Sequence, residues 1–135
     1  MNTQLFTALP FAQLLCMLFL AALFIQSGLD KVFDWKGNLD WLKGHFKKTF
    51  AAGMVPLLLA VVTILEVSAG FTSLAGALML FFKNDLQTGI WGAQLAALAI
   101  LFLFTGQRIA KDYGGAAALV PYFLLCVFSL WLFQL

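Results

Sequence analysis

The chain has 135 residues, room for one domain, and is 63% hydrophobic and 10% charged with mean hydropathy +0.97. Soluble domains carry about 25% charged residues, and a fold of this size cannot hide so much apolar surface from water, so the composition excludes a water-soluble protein and implies an integral membrane one. A net charge of +2, without a basic, aromatic-interleaved patch away from the membrane boundaries, excludes a nucleic-acid binder.

Hydropathy marks four spans in a single transmembrane domain, 1–135, so the expected fold is an all-α four-transmembrane-helix bundle. The first span covers about 6–28. The ten residues at the N-terminus hold no Lys or Arg, unlike the basic start of a secretory signal, so this span is expected to be retained. In segment 38–50, Leu39, Leu42, Phe46 and Phe50 recur at helical spacing with lysines and Asp40 between them. That pattern predicts a short interfacial amphipathic helix between helices 1 and 2, capped by Asn38, with Trp35 and Trp41 at headgroup level. The same segment could dock a soluble partner.

The second span covers about 53–82. At ~1.5 Å per residue it would reach about 45 Å, beyond the ~30 Å hydrocarbon core, so it must tilt, protrude, or break near Gly70, Ser73 or Gly76. The third covers about 88–105, with a small-residue ridge of Gly89, Ala93 and Ala97. The fourth covers about 114–133, where Pro121 should introduce a kink. Four spans place both termini on one side, and loops 30–49 and 107–113 on the other. These loops carry Lys31, Lys36, Lys43, Lys47, Lys48, Arg108 and Lys111 against Lys83 opposite, so the basic loops are expected to be cytoplasmic and both termini external.

Glu66 is the chemical focus. It lies near the middle of the second span, and Thr63, Gly70, Ser73 and Ala77 share its face. Such a polar, small stripe belongs against neighbouring helices. With no Lys or Arg within any predicted span to pair with it, the expectation is a protonated Glu66 bonded across helices, alternatively a ligand-gripping or proton-handling group. Gln13 and Gln94 lie at matching depths and are candidates to form a polar layer with it and Thr63. Cys16 and Cys126 also match in depth. They read first as packing residues and, as the less favoured alternative, as a thiol pair. The single histidine, His45, excludes two-histidine haem ligation within this chain, and no phosphate loop, dinucleotide fingerprint or nucleophile motif is present. No catalytic residue, metal site or cofactor bound by this chain alone is expected.

Three motifs, taken together, carry a family resemblance: the first-span exit IQSGLDKVF at 25–33, EVSAG at 66–70, and GQRIAKDYGG at 106–115. In this order, within a short four-span chain, they resemble the DoxX family of small bacterial membrane proteins. The matching positions are Gly28, Lys31, Glu66, Gly70 and Arg108. The resemblance implies a multi-pass protein of the bacterial inner membrane with a tie to redox systems. The family often has an arginine early in the first span; Gln13 is its nearest counterpart here, which removes one natural cationic partner for Glu66. The leading functional expectation is an accessory or anchoring subunit of a membrane-associated, redox-linked complex, with a protein partner or a second copy of the chain in the bilayer. The alternative is a binder or carrier of a small lipophile, quinone or lipid, held near Glu66. Last comes a thiol-based, quinone-linked oxidoreductase using Cys16 and Cys126.

Overall fold

The computed structural model describes residues 3–135, which form five α-helices and, among them, no strand: α1 (Ala8–Phe33), α2 (Trp35–His45), α3 (Val55–Lys83), α4 (Gln87–Ile109) and α5 (Tyr113–Phe133). α1, α3, α4 and α5 are each long and apolar enough to cross a membrane. They form the expected four-span bundle, with short α2 between the first two spans. α3 makes the broadest interfaces, against α1 and α4; α4 packs on α5, and α5 closes more lightly on α1.

α1 runs five residues past the expected limit at Gly28. Nothing in Leu29–Phe33 breaks a helix, and two i,i+4 contacts hold the last turns: Gln26 Nε2 donates to Asp30 Oδ2 at 2.6 Å, and Lys31 Nζ to Ser27 Oγ at 3.1 Å. Asp34 then ends one helix and starts the next. Its backbone N–H donates to Asp30 O, while its carboxylate accepts from Gly37 N. α2 therefore spans 35–45 rather than 38–50, and Asp34 replaces Asn38 as its cap. Asn38 lies inside the helix, its amide donating to Asp34 O at 2.8 Å. Of the expected apolar face, Leu39 and Leu42 are half-buried and Phe46 is buried, but Phe50 falls in the turn beyond the helix and is exposed.

α3 is a single 29-residue helix, unbroken at Gly70, Ser73 or Gly76, about 43 Å long at ~1.5 Å per residue. Those small residues serve close helix contact instead. A Cβ on Gly70 would lie 2.5 Å from Ile25 N of α1, and one on Gly76 would lie 2.5 Å from Gly89 Cα of α4. Ser73 sits against Gly92, and Gly89 against Met17. The α4 ridge is thus Gly89, Gly92, Ala93 and Ala96, all buried, with Ala97 only half-buried. In lipid, helices gain little from the hydrophobic effect by associating, so this backbone approach and its van der Waals contact hold the bundle together. Large apolar side chains divide accordingly: Met17, Leu20, Phe24, Leu59 and Leu80 fill the centre, while Phe19, Ile64, Leu98, Leu124 and Phe128 point outward. Trp91 and Trp131 mark one end of the bundle and Trp35 and Trp41 the other, all exposed.

Candidate functional site

The α1–α3 crossing builds the polar centre. Gly28 of α1 lies against the backbone of Val67, and Gly70 of α3 against Ile25, so the two axes come close on either side of Glu66. Ser27 and Lys31, one helical turn apart on α1, then face the carboxylate. Glu66 Oε2 accepts from Ser27 Oγ at 2.8 Å and from Lys31 Nζ at 2.9 Å. Lys31 Nζ also donates to Ser27 Oγ at 3.1 Å and, more weakly, to Ser27 O at 3.4 Å. Glu66 is 1% exposed and the Lys31 side chain 17%, so the pair has one buried member and one that reaches a cavity wall.

The cross-helix bond expected of Glu66 is present, from Ser27, but the expectation that no cation would pair with it is overturned by Lys31. Its cation comes from the extension of α1 beyond Gly28, at the opposite end of that helix from Gln13. The expected polar layer is not formed either. Gln13 is buried but donates to Leu132 O at 3.1 Å, Thr63 turns back to Leu59 O at 2.7 Å, and Gln94 lies on an exposed face of α4. Ser73, on the same face of α3 as Glu66, is buried with its hydroxyl unpartnered. Cys16 and Cys126 are free thiols, both buried in one apolar cluster with Met17, Leu20 and Ala96. Arg108, at the end of α4, lies over the Tyr113 ring at 4.5 Å.

Beside Lys31, between α2, α3 and α4, lies a cavity of about 630 Å³. Its walls are apolar for most of their length, with Leu58, Val62 and Leu65 from α3 and Leu98, Leu101 and Phe102 from α4. Lys31, Asn38, His45, Thr105 and Gln107 supply its polar lining. His45 is held firmly. Its Nε2 lies 2.6 Å from Gln107 Oε1, so with this amide orientation the ring donates, and Asp112 Oδ2 lies 3.9 Å away. Within the α2 segment the ring stacks on Trp41 at 4.4 Å and meets Phe46 edge-on at 5.3 Å, while the contacts to Gln107 and Asp112 tie α2 to the α4–α5 corner. Neither Ser27 nor His45 was a site candidate from sequence. The i,i+4 pairing of Ser27 with Lys31 was the available signal for the first. For His45 there was none beyond its place on an amphipathic helix.

Fold and site together define a four-span helical membrane protein with an ion pair at its core and an apolar cavity opening beside that pair. Comparison with known proteins finds no matching family model, no similar curated protein and no similar solved structure.

Proposed function

We propose that the chain binds or carries a small lipophile, a quinone or a lipid, in the cavity between α2, α3 and α4. The observation that carries this reading is the cavity itself: about 630 Å³, within the ~300–1,000 Å³ range of small-molecule sites, largely apolar and with few polar groups. A carbonyl or hydroxyl oxygen on the ligand would compete for Lys31 most easily by replacing its 3.4 Å contact to Ser27 O, leaving the Glu66 pair intact. The site sits on the basic side of the bundle, which the positive-inside rule would make the cytoplasmic one.

The test is purification in mild detergent followed by identification of every retained lipophile. A bound species should be present in the wild type and reduced at least tenfold in Leu101→Trp, which fills the cavity from a position already exposed to lipid. Equal retention by both proteins would overturn the proposal.

A second reading, the accessory or anchoring subunit of a DoxX-like redox-linked complex, draws on α2. That helix has no buried residue of its own and presents Lys36, Asp40 and Lys43 outward, a surface suited to a soluble partner. Stoichiometric co-purification of a protein that is lost when Lys36 and Lys43 are both changed to Glu would favour it.

A further inference from the structure

A second cleft, of about 640 Å³, adjoins the apolar cavity, and the two share His45 and Ile109 as lining residues. The character of the lining changes across that rim. On the far side stand Lys47, Lys48 and Lys111, with Thr49 and the exposed ring of Phe50, and no described residue lining the cleft is acidic. The nearby acid, Asp112, is already engaged. It caps α5 by accepting from Gly115 N at 2.9 Å, and its other oxygen faces His45.

The backbone holds these lysines in place. After α2, Thr49 Oγ donates to Phe46 O and accepts from Ala51 N, a tight turn anchored by buried Phe46 and Ala51. At the end of α4, Lys111 N donates to Arg108 O and Asp112 N to Gln107 O, the double bond of a helix terminus whose left-handed residue is usually glycine, sometimes asparagine. Here that residue is Lys111, with φ 60°. A lysine in this conformation costs stability that glycine would not; the corresponding left-handed residue after α3 is the more ordinary Asn84, φ 53°.

We propose that the two clefts together form a site for an anionic phospholipid, with the phosphate headgroup among Lys47, Lys48 and Lys111 and an acyl chain in the apolar cavity, straddling the His45–Ile109 rim. This rests on the lipophile-binding reading above and names its ligand class. The charge of the cleft selects the anion, and its position at the basic end of the spans puts the headgroup where lipid headgroups lie.

The experiment uses the full chain, delipidated in detergent at low salt, and counts lipids retained after addition of dioleoyl phosphatidylglycerol or dioleoyl phosphatidylcholine. Each lysine near the surface contributes about fivefold (~1 kcal/mol) to anionic-lipid binding. The wild type should therefore prefer phosphatidylglycerol by a factor approaching about a hundred, and the triple variant Lys47→Gln, Lys48→Gln, Lys111→Gln should lose that preference. All three side chains are exposed, so an unchanged melting temperature would verify folding. Leu101→Trp should lower retention of both lipids. Equal binding of the two lipids by wild type, or an unchanged preference in the triple variant, would overturn the headgroup assignment. The lipophile-binding reading would survive that result if Leu101→Trp still displaced both lipids. If Leu101→Trp displaced neither, the cavity would not be occupied and both proposals would fall. Competition by free glycerol phosphate at the same concentration as the lipid would also overturn the inference, marking a soluble-phosphate site instead.

Discussion

Replacing Lys31 with Met should be the most damaging single change at the polar centre, and the structure says why it should exceed Glu66→Gln. At 2.9 Å and an effective dielectric of 20, the attraction between the two charges is about 6 kcal/mol before desolvation. Removing one member of a buried pair typically costs about 3–5 kcal/mol, because the other is stranded. Glu66, 1% exposed and near mid-span, has no route to water. Lys31 is two residues from the end of α1, and its long stem can carry the ammonium towards the interface. Lys31→Met should therefore cost about 3–5 kcal/mol. Glu66→Gln, which keeps an acceptor for Ser27, should cost only about 1–2 kcal/mol. The double variant should be less damaged than the sum of its singles by more than about 1 kcal/mol. Unfolding in mixed micelles of dodecyl maltoside and SDS, followed by circular dichroism for all four proteins, gives the cycle. Additivity within about 0.5 kcal/mol would refute the pairing, and a larger loss for Glu66→Gln than for Lys31→Met would refute the argument from burial.

Two glycine substitutions should move stability in opposite directions. Gly70→Ala would push a methyl against Ile25 N and cost about 1–3 kcal/mol. Gly106→Ala meets only Phe46 Cζ at 3.5 Å and should gain about 0.5–1 kcal/mol; the same micellar unfolding assay reads both. Ser73→Ala removes a buried hydroxyl without a partner and should be neutral or stabilising by up to about 1 kcal/mol, so a clear loss there would reveal an unrecognised bond. Cys16 and Cys126, both buried, should resist a bilayer-impermeant maleimide in the folded protein and label fully after SDS unfolding. Rapid labelling of Cys126 in the native state would contradict its place in the core.

The spans were legible because a long apolar run has only one stable form in lipid: with no water to satisfy the backbone, it must be a helix. Their ends were less so. The charged residues Asp30 and Lys31 mark the limit of hydropathy, but hydropathy measures partition and not helix continuity. α1 therefore continues through Phe33, past the point where hydropathy alone would put the cation for Glu66 in a loop. Gln94 illustrates the other gap. Matching depth with Gln13 says nothing of azimuth, and rotation about the α4 axis places Gln94 on an exposed face. Gly70 and Gly76 could be read as small, but whether small means a break or a close contact depends on which helix lies opposite, a fact of tertiary structure. The apolar cavity likewise depends on α2 folding back beside α3 and α4 through His45 and Gln107, residues 62 apart in sequence.

The Lys31–Glu66 contact also has a bearing on how the protein enters its membrane. A lone carboxylate at the centre of a helix leaves the insertion channel at a cost of roughly 2.5–3.5 kcal/mol. Glu66 is translated 35 residues after Lys31, so its counter-ion is already in place when α3 emerges from the ribosome. The first two spans are thus matched in synthesis order, the cation waiting near an interface it can tolerate and the anion arriving last. Were these two spans released as a hairpin, they would enter lipid with their charges joined, and α4 and α5 would be added to a unit already electrically closed.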